Sequence, residues 1–204
     1  MYFVKTPKIA RAFNKKAIWN IPNNVKEVFL TFDDGPTPLI TNHTLDILKK
    51  HKIKATFFCL GKQVEKHSEV FKKITDEGHA VGNHSYSHLK GWTTKNEQYL
   101  EDVRKGEAII KSHLFRPPYG KIKRSQVNLL NPQTKIILWD VLPGDFSPSN
   151  NVEKIISNTL EAVESGSIIV LHDNAICGNK MLQALPIIID KLKEKKYTFS
   201  AIAE

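Results

Sequence analysis

Short apolar runs alternate with amphipathic stretches along most of this chain. That alternation constrains the fold more than any other feature. The runs are Val28-Phe29-Leu30, Ala55-Thr56-Phe57-Phe58, Ala80-Val81-Gly82-Asn83, Leu114-Phe115-Arg116, Lys135-Ile136-Ile137-Leu138-Trp139, Ser167-Ile168-Ile169-Val170-Leu171 and a last one over 197–202. Between them, helical periodicity predicts helices over about 41–51, 65–77, 94–113, 125–130 and 180–195, and another capped by Asn151; Gly78 and Gly166 act as stop signals. Strands alternating with helices through short connections give a parallel sheet with helices outside it. About seven such units fit either a barrel or a doubly wound open sheet. No glycine-rich dinucleotide fingerprint follows the first strand. Residues 1–24 are basic with scattered apolar groups (Ile18, Trp19, Ile21), and are expected to form an arm packed on a domain spanning 25–204.

The first run ends in Thr31-Phe32-Asp33-Asp34-Gly35-Pro36. Neighbouring side chains on a strand point to opposite faces, so two adjacent carboxylates share a site only if the strand ends there. The Gly-Pro break supplies that end, with the strand expected to run to Asp34. A cation or a proton then has to hold the two carboxylates together.

Four further strand ends carry polar or special residues: 84–88, 116–120, 140–146, and His172-Asp173. Sites in parallel barrels and open sheets gather at this rim. His84 and His88 stand four apart, and a helical turn there would aim both at one metal. With Asp34 they make three ligands, the number a catalytic zinc site uses while leaving a position for water. Chemical need suggests the other roles. Asp33, beside the ligand Asp34, is a base for water, and Arg116 orients it. His172 is an acid for a leaving group, and Asp145 fixes its tautomer.

Composition narrows the class. Hydrophobic residues make up 41% of the chain and charged residues 25%, ordinary for a soluble globular protein. The net charge of +9 suggests an anionic partner. The lysines are spread over many segments, as on a generally solvated surface. No basic run interleaved with aromatics appears, which argues against nucleic acid. Cys59 reads as a small buried hydrophobe and Cys177 as a loop residue; two isolated cysteines make neither a disulfide framework nor a zinc set. No stretch reaches transmembrane length, and the N-terminus lacks a long apolar segment. The expectation is a monomer, cytoplasmic as written and extracytoplasmic if processed.

Five ordered segments resemble the polysaccharide deacetylases of carbohydrate esterase family 4, the NodB homology domain. They are 31–35 (TFDDG), 84–88 (HSYSH), 116–120 (RPPYG), 144–146 (GDF) and 171–173 (LHD). The resemblance implies a distorted (β/α) barrel of seven or eight strands. It implies one divalent metal, usually Zn2+ with Co2+, Ni2+ or Mn2+ as alternatives, on Asp34, His84 and His88. It also implies Asp33 as base, Arg116 as its ion-pair partner and His172 as the acid tuned by Asp145. The backbone N–H of Tyr119 would bind the oxyanion, and Pro117, Phe146 and Leu171 would contact substrate, Leu171 lining an acetyl-sized pocket. Phe146 stands where the family usually has Trp, which keeps an apolar wall and loses an indole N–H. The implied activity is removal of N-acetyl groups from N-acetylglucosamine-containing glycans, peptidoglycan or chitin-like oligomers. An O-acetyl ester or small amide in the same site, and a non-catalytic glycan-binding module, are the alternatives.

Overall fold

The structure is a computed structural model that describes residues 2–12 and 14–203. Met1 and Phe13 of the expected arm, and Glu204 at the far end, lie outside the described residues. In chain order the elements are α1 (Lys8–Ala12), β1 (Ala17–Ile18), β2 (Glu27–Asp33), α2 (Pro38–His51), β3 (Thr56–Cys59), α3 (Gly61–Lys66), α4 (Ser68–Asp76), β4 (Ala80–Asn83) and α5 (Asn96–Ile110). Then come β5 (Leu114–Phe115), a 3-10 turn (Pro118–Gly120), α6 (Arg124–Leu129), β6 (Lys135–Ile137), α7 (Val152–Ala162), β7 (Ile168–His172), α8 (Gly178–Glu194) and β8 (Thr198–Phe199).

All strand pairs are parallel, in the order β1-β6-β5-β4-β3-β2-β7, with β8 added to β2. Just past β6, Val141 bridges in parallel to Ile169 of β7, which curls the sheet into a distorted (β/α) barrel. The N-terminal segment supplies β1 on β6, and Lys5 bridges antiparallel to Val141.

β2 shows how the pleat sorts residues. Val28, Leu30 and Phe32 join the large cluster that packs against α2 and α8. Phe29 packs instead with Phe58, Leu114, Ile137, Ile168 and Ile202. Thr31 and Asp33 share the face of Phe29, because side chains alternate with period two. A strand buried on both faces is an unbroken apolar run, interrupted only where a polar group has a partner.

Most elements end within a few residues of the sequence expectation, and three departures change the reading. β2 stops at Asp33, and Asp34 has φ +79, a left-handed conformation that redirects its side chain. The expected 65–77 helix is two helices broken at His67 (φ −135, ψ 49). Segment 84–88 is a loop and not a helical turn, with positive φ at Ser85 and His88. Its backbone is wound around α5: Asp102 accepts from the N–H groups of Tyr86 and Ser87, and Asn83 Oδ1 accepts from Ser85 N–H. These side chains outcompete the helical hydrogen bonds that a four-residue spacing invites. Gly106 lets the loop sit this close, since a Cβ there would overlap Asn83 and Ser85.

Candidate active site

The C-terminal rim of the barrel brings together residues from five strand ends. Deepest is Arg116, just past β5 and fully buried. Its Nη1 donates to Asp33 Oδ1 and Thr31 Oγ1, both at 2.7 Å; Nε donates to Ile137 O and Nη2 to Leu138 O. The guanidinium carbon sits 4.0 Å above the Phe58 ring. Burial lowers the Arg116 pKa while Asp33 opposes the shift. Four of the five guanidinium N–H groups have partners, which fixes the guanidinium and with it Asp33 Oδ1, and leaves Asp33 Oδ2 to the cavity.

Beside it, Asp34, His84 and His88 offer ligand atoms within 4.8 Å of one another. Asp34 Oδ1 lies 3.5 Å from His84 Nε2 and 3.1 Å from His88 Nε2, is buried, and makes no hydrogen bond. His84 Nδ1 is 2.7 Å from the Arg116 carbonyl oxygen. A carbonyl only accepts, so Nδ1 carries the hydrogen, and in the neutral ring Nε2 presents its lone pair toward Asp34. Converging lone pairs around an orphaned carboxylate oxygen call for a cation, and an Asp-His-His set suits a divalent one. Burial raises the Asp34 pKa, but the neighbouring imidazoles of His84 and His88 outweigh it and hold Asp34 well below the usual carboxylate range.

On the opposite wall, Asp145 accepts twice from His172: Oδ2 from the backbone N–H at 2.7 Å and Oδ1 from Nδ1 at 2.9 Å. Burial lowers the His172 pKa; the Asp145 carboxylate overrides this and pushes it up to about 10. Gly144 (φ +85) makes the turn that delivers Asp145. Phe146 is 38% exposed, its ring edge-on to His172 at 5.6 Å and to Tyr2 at 5.1 Å.

Asp33, Asp34, His84, His88 and His172 all line one cavity of about 450 Å³, walled by Tyr119, Trp139, Leu142 and Phe146. Tyr119 has φ +60 and its ring packs on His88 at 4.6 Å. Two expected substrate contacts lie elsewhere. Leu171 is fully buried in the core that faces the helices, and Pro117 is buried outside the cavity wall. The pleat explains Leu171: it pairs with Phe32 in register and both point to the helix side.

Sequence reasoning missed several contributors. Asn174 Nδ2 donates to Asp34 Oδ2 at 2.8 Å. Asp173 accepts from Gly35 N–H and from Thr41 Oγ1, so it pins the loop after Asp34; burial raises its pKa to about 7. A Cβ at Gly35 would overlap that carboxylate. The Leu-His-Asp run made Asp173 visible, but nothing local gave it a role. Tyr2 reaches the cavity from the N-terminal segment, which no motif announces. Asp140, read as a rim residue, accepts instead from Lys5, Ser167 and the Ile168 N–H, and so ties the N-terminal segment down.

A parallel barrel whose rim gathers an Asp–Arg pair, an Asp–His pair and an Asp-His-His group has the architecture of a carbohydrate-esterase deacetylase. The chain belongs to the polysaccharide deacetylases of carbohydrate esterase family 4: the family model "Polysaccharide deacetylase" matches residues 20–133. It is 33% identical over 194 residues to a peptidoglycan-N-acetylglucosamine deacetylase of Bacillus cereus, covering 91% of both chains. The crystal structure of the Bc1960 peptidoglycan N-acetylglucosamine deacetylase with 4-naphthalen-1-yl-N-oxidanyl-benzamide is similar at TM-score 0.84 and 35% identity, over 90% of this chain and 89% of that one. BA3943 of Bacillus anthracis, a CE4 family pseudoenzyme, is similar at TM-score 0.81 and 28% identity, over 91% of this chain and 67% of that one.

Proposed function

We propose that this protein is a metal-dependent hydrolase that removes N-acetyl groups from N-acetylglucosamine-containing glycans. The observation that carries the reading is the buried, unbonded Asp34 Oδ1 facing two imidazole nitrogens, in one cavity with Asp33 and His172. Asp34, His84 and His88 would hold the ion, with Zn2+ preferred and Co2+, Ni2+ or Mn2+ compatible with the same donors. When bound, a divalent ion there supplies positive charge that polarises an amide carbonyl and acidifies a water.

The chain's own residues carry the proton work. Asp33, fixed through Oδ1 by Arg116, takes a proton from the attacking water on Oδ2. The Tyr119 N–H donates to the oxyanion as the carbonyl becomes tetrahedral. His172, kept protonated by Asp145, delivers a proton to the departing nitrogen, without which an amine leaves poorly. Phe146, Trp139 and Leu142 give the acetyl methyl an apolar wall.

A non-catalytic reading has one specific support, the pseudoenzyme among the similar structures. Against it speaks that Asp33, Asp34, His84, His88 and His172 are all present and line one cavity. Acetate release from N-acetylglucosamine oligomers and from peptidoglycan, with and without a chelator, tests the proposal. Chelator-sensitive release is expected, with Asp33→Asn losing about 100- to 10,000-fold. Absence of acetate from every glycan after metal addition sinks it.

A further inference from the structure

The surface charge is segregated in a way that composition hides. Residues 1–26 hold six Lys or Arg and no Asp or Glu; residues 108–139 hold another six and none. Of 30 basic and 21 acidic residues in the chain, the remainder therefore keeps 18 basic against all 21 acidic, so the positive excess lies in these two stretches. The fold lays them side by side. Ala17 and Ile18 pair with Ile136 and Ile137, and Lys16 Nζ donates to Asn128 Oδ1.

Among the described residues, two of these twelve cations are paired: Lys5 with Asp140 and Glu164, and Arg116 with Asp33. Among the described residues, the other ten have no carboxylate within ion-pair reach. Lys15, Lys16 and Arg124 are exposed and edge a concavity of about 290 Å³ with Asn14 and Asn128. Ile122 lines that concavity too, while its neighbour Lys121 lines the reaction cavity. The basic surface thus reaches the mouth of the site.

We infer that this edge is a docking surface for a glycan strand carrying fixed carboxylates, holding the strand while one of its N-acetyl groups enters the cavity. The inference rests on the deacetylase reading above. Cations without a carboxylate partner, grouped as Lys15, Lys16 and Arg124 are around one concavity, attract and orient an anionic chain, and do nothing for a neutral one. The attraction is exposed to solvent, so it is screened by salt. Each deacetylation adds an ammonium to the strand, and these same cations repel it, favouring unreacted segments over reacted ones.

The test compares the parent with Lys15→Gln/Lys16→Gln/Arg124→Gln, and with Lys49→Gln/Lys50→Gln/Lys52→Gln as a control from the acid-containing remainder. Acetate release is measured on peptidoglycan strands that keep their carboxylates and on the neutral N-acetylglucosamine pentamer, at low and high salt. Fluorescence anisotropy of labelled strands reads docking independently of turnover. On anionic strands the first triple variant should lose about tenfold in kcat/KM at low salt, chiefly through KM, and the loss should vanish at high salt. The pentamer rates and the control should not change. Equal performance of the triple variant on anionic strands, or an equal loss on the pentamer, overturns the inference. Tighter binding of a single-stranded DNA oligomer than of the strands also overturns it. If neither substrate releases acetate, the deacetylase reading has failed, and the anisotropy still decides whether the edge docks anionic glycan.

Discussion

The Arg116–Asp33 pair offers the sharpest separation of folding from chemistry. Arg116→Met removes a fully buried guanidinium that makes four hydrogen bonds and leaves the Asp33 carboxylate, 3% exposed, without its cation. Breaking a buried pair from one side costs about 3–5 kcal/mol. The carbonyls of Ile137 and Leu138 lose their side-chain donors as well, which favours the upper end of that range. At roughly 2–4 °C per kcal/mol for a domain of this size, the melting midpoint should fall by about 6–20 °C. Asp33→Asn keeps the other three Arg116 bonds and should cost less, about 1–3 kcal/mol. The double variant should then be more stable than Arg116→Met alone, because a neutral amide replaces an unpaired carboxylate. Activity should not follow, since any variant lacking the Asp33 carboxylate lacks the base. Urea unfolding read by tryptophan fluorescence, with acetate release in parallel, measures both. An Arg116→Met variant within about 0.5 kcal/mol of the parent, or a double variant no more stable than the single, would falsify the reasoning.

Three further outcomes follow from the site and the core. Asp145→Asn removes the charge that raises the His172 pKa, so the alkaline limb of the pH–rate profile should move to lower pH; an unmoved limb means that His172 is not the acid. Asn174→Leu deletes the donor to Asp34 Oδ2 and should weaken metal binding about 10- to 100-fold in a chelator competition, with unchanged affinity excluding a positioning role. Buried His79 has its pKa lowered from 6.5 to about 4 by burial and then by Lys54, and its Nδ1 accepts from the Ala55 N–H. A depressed pKa stabilises the fold above pH 6.5, and that stability is lost as pH falls from 6.5 through 4, by about 2 kcal/mol after allowing for solvent near the ring. His79→Gln should flatten stability across that window in urea titrations; an unaltered slope counts against it.

Much of this molecule was legible in one dimension. The parallel sheet with helices outside follows from apolar runs of strand length separated by helical periodicity, because each run has to be buried on both faces; its curling into a barrel came from the family resemblance and, in the structure, from the bridge of Val141 to Ile169. The rim residues follow from where those runs stop. Local pattern could not decide which way a side chain turns after its strand ends. Asp34 reaches the imidazoles through a positive φ, beside a Gly35 N–H held by Asp173 and with its own Oδ2 held by Asn174, and His84 and His88 converge through a loop wound on Asp102 and Gly106. Spacing alone suggested a helical turn there. Leu171 was given to the cavity by its motif and withdrawn from it by the register of β7 on β2. Likewise the acid-free stretches at 1–26 and 108–139 stand far apart in the chain, and only the pairing of β1 with β6 makes them one surface. Which segments are buried and which chemical groups are on offer can be read along the chain, since hydrophobic periodicity and residue type are local properties. Which groups meet and which charges add emerges only on folding, because those depend on contacts between residues distant in the chain, such as Asn174 with Asp34, 140 positions apart.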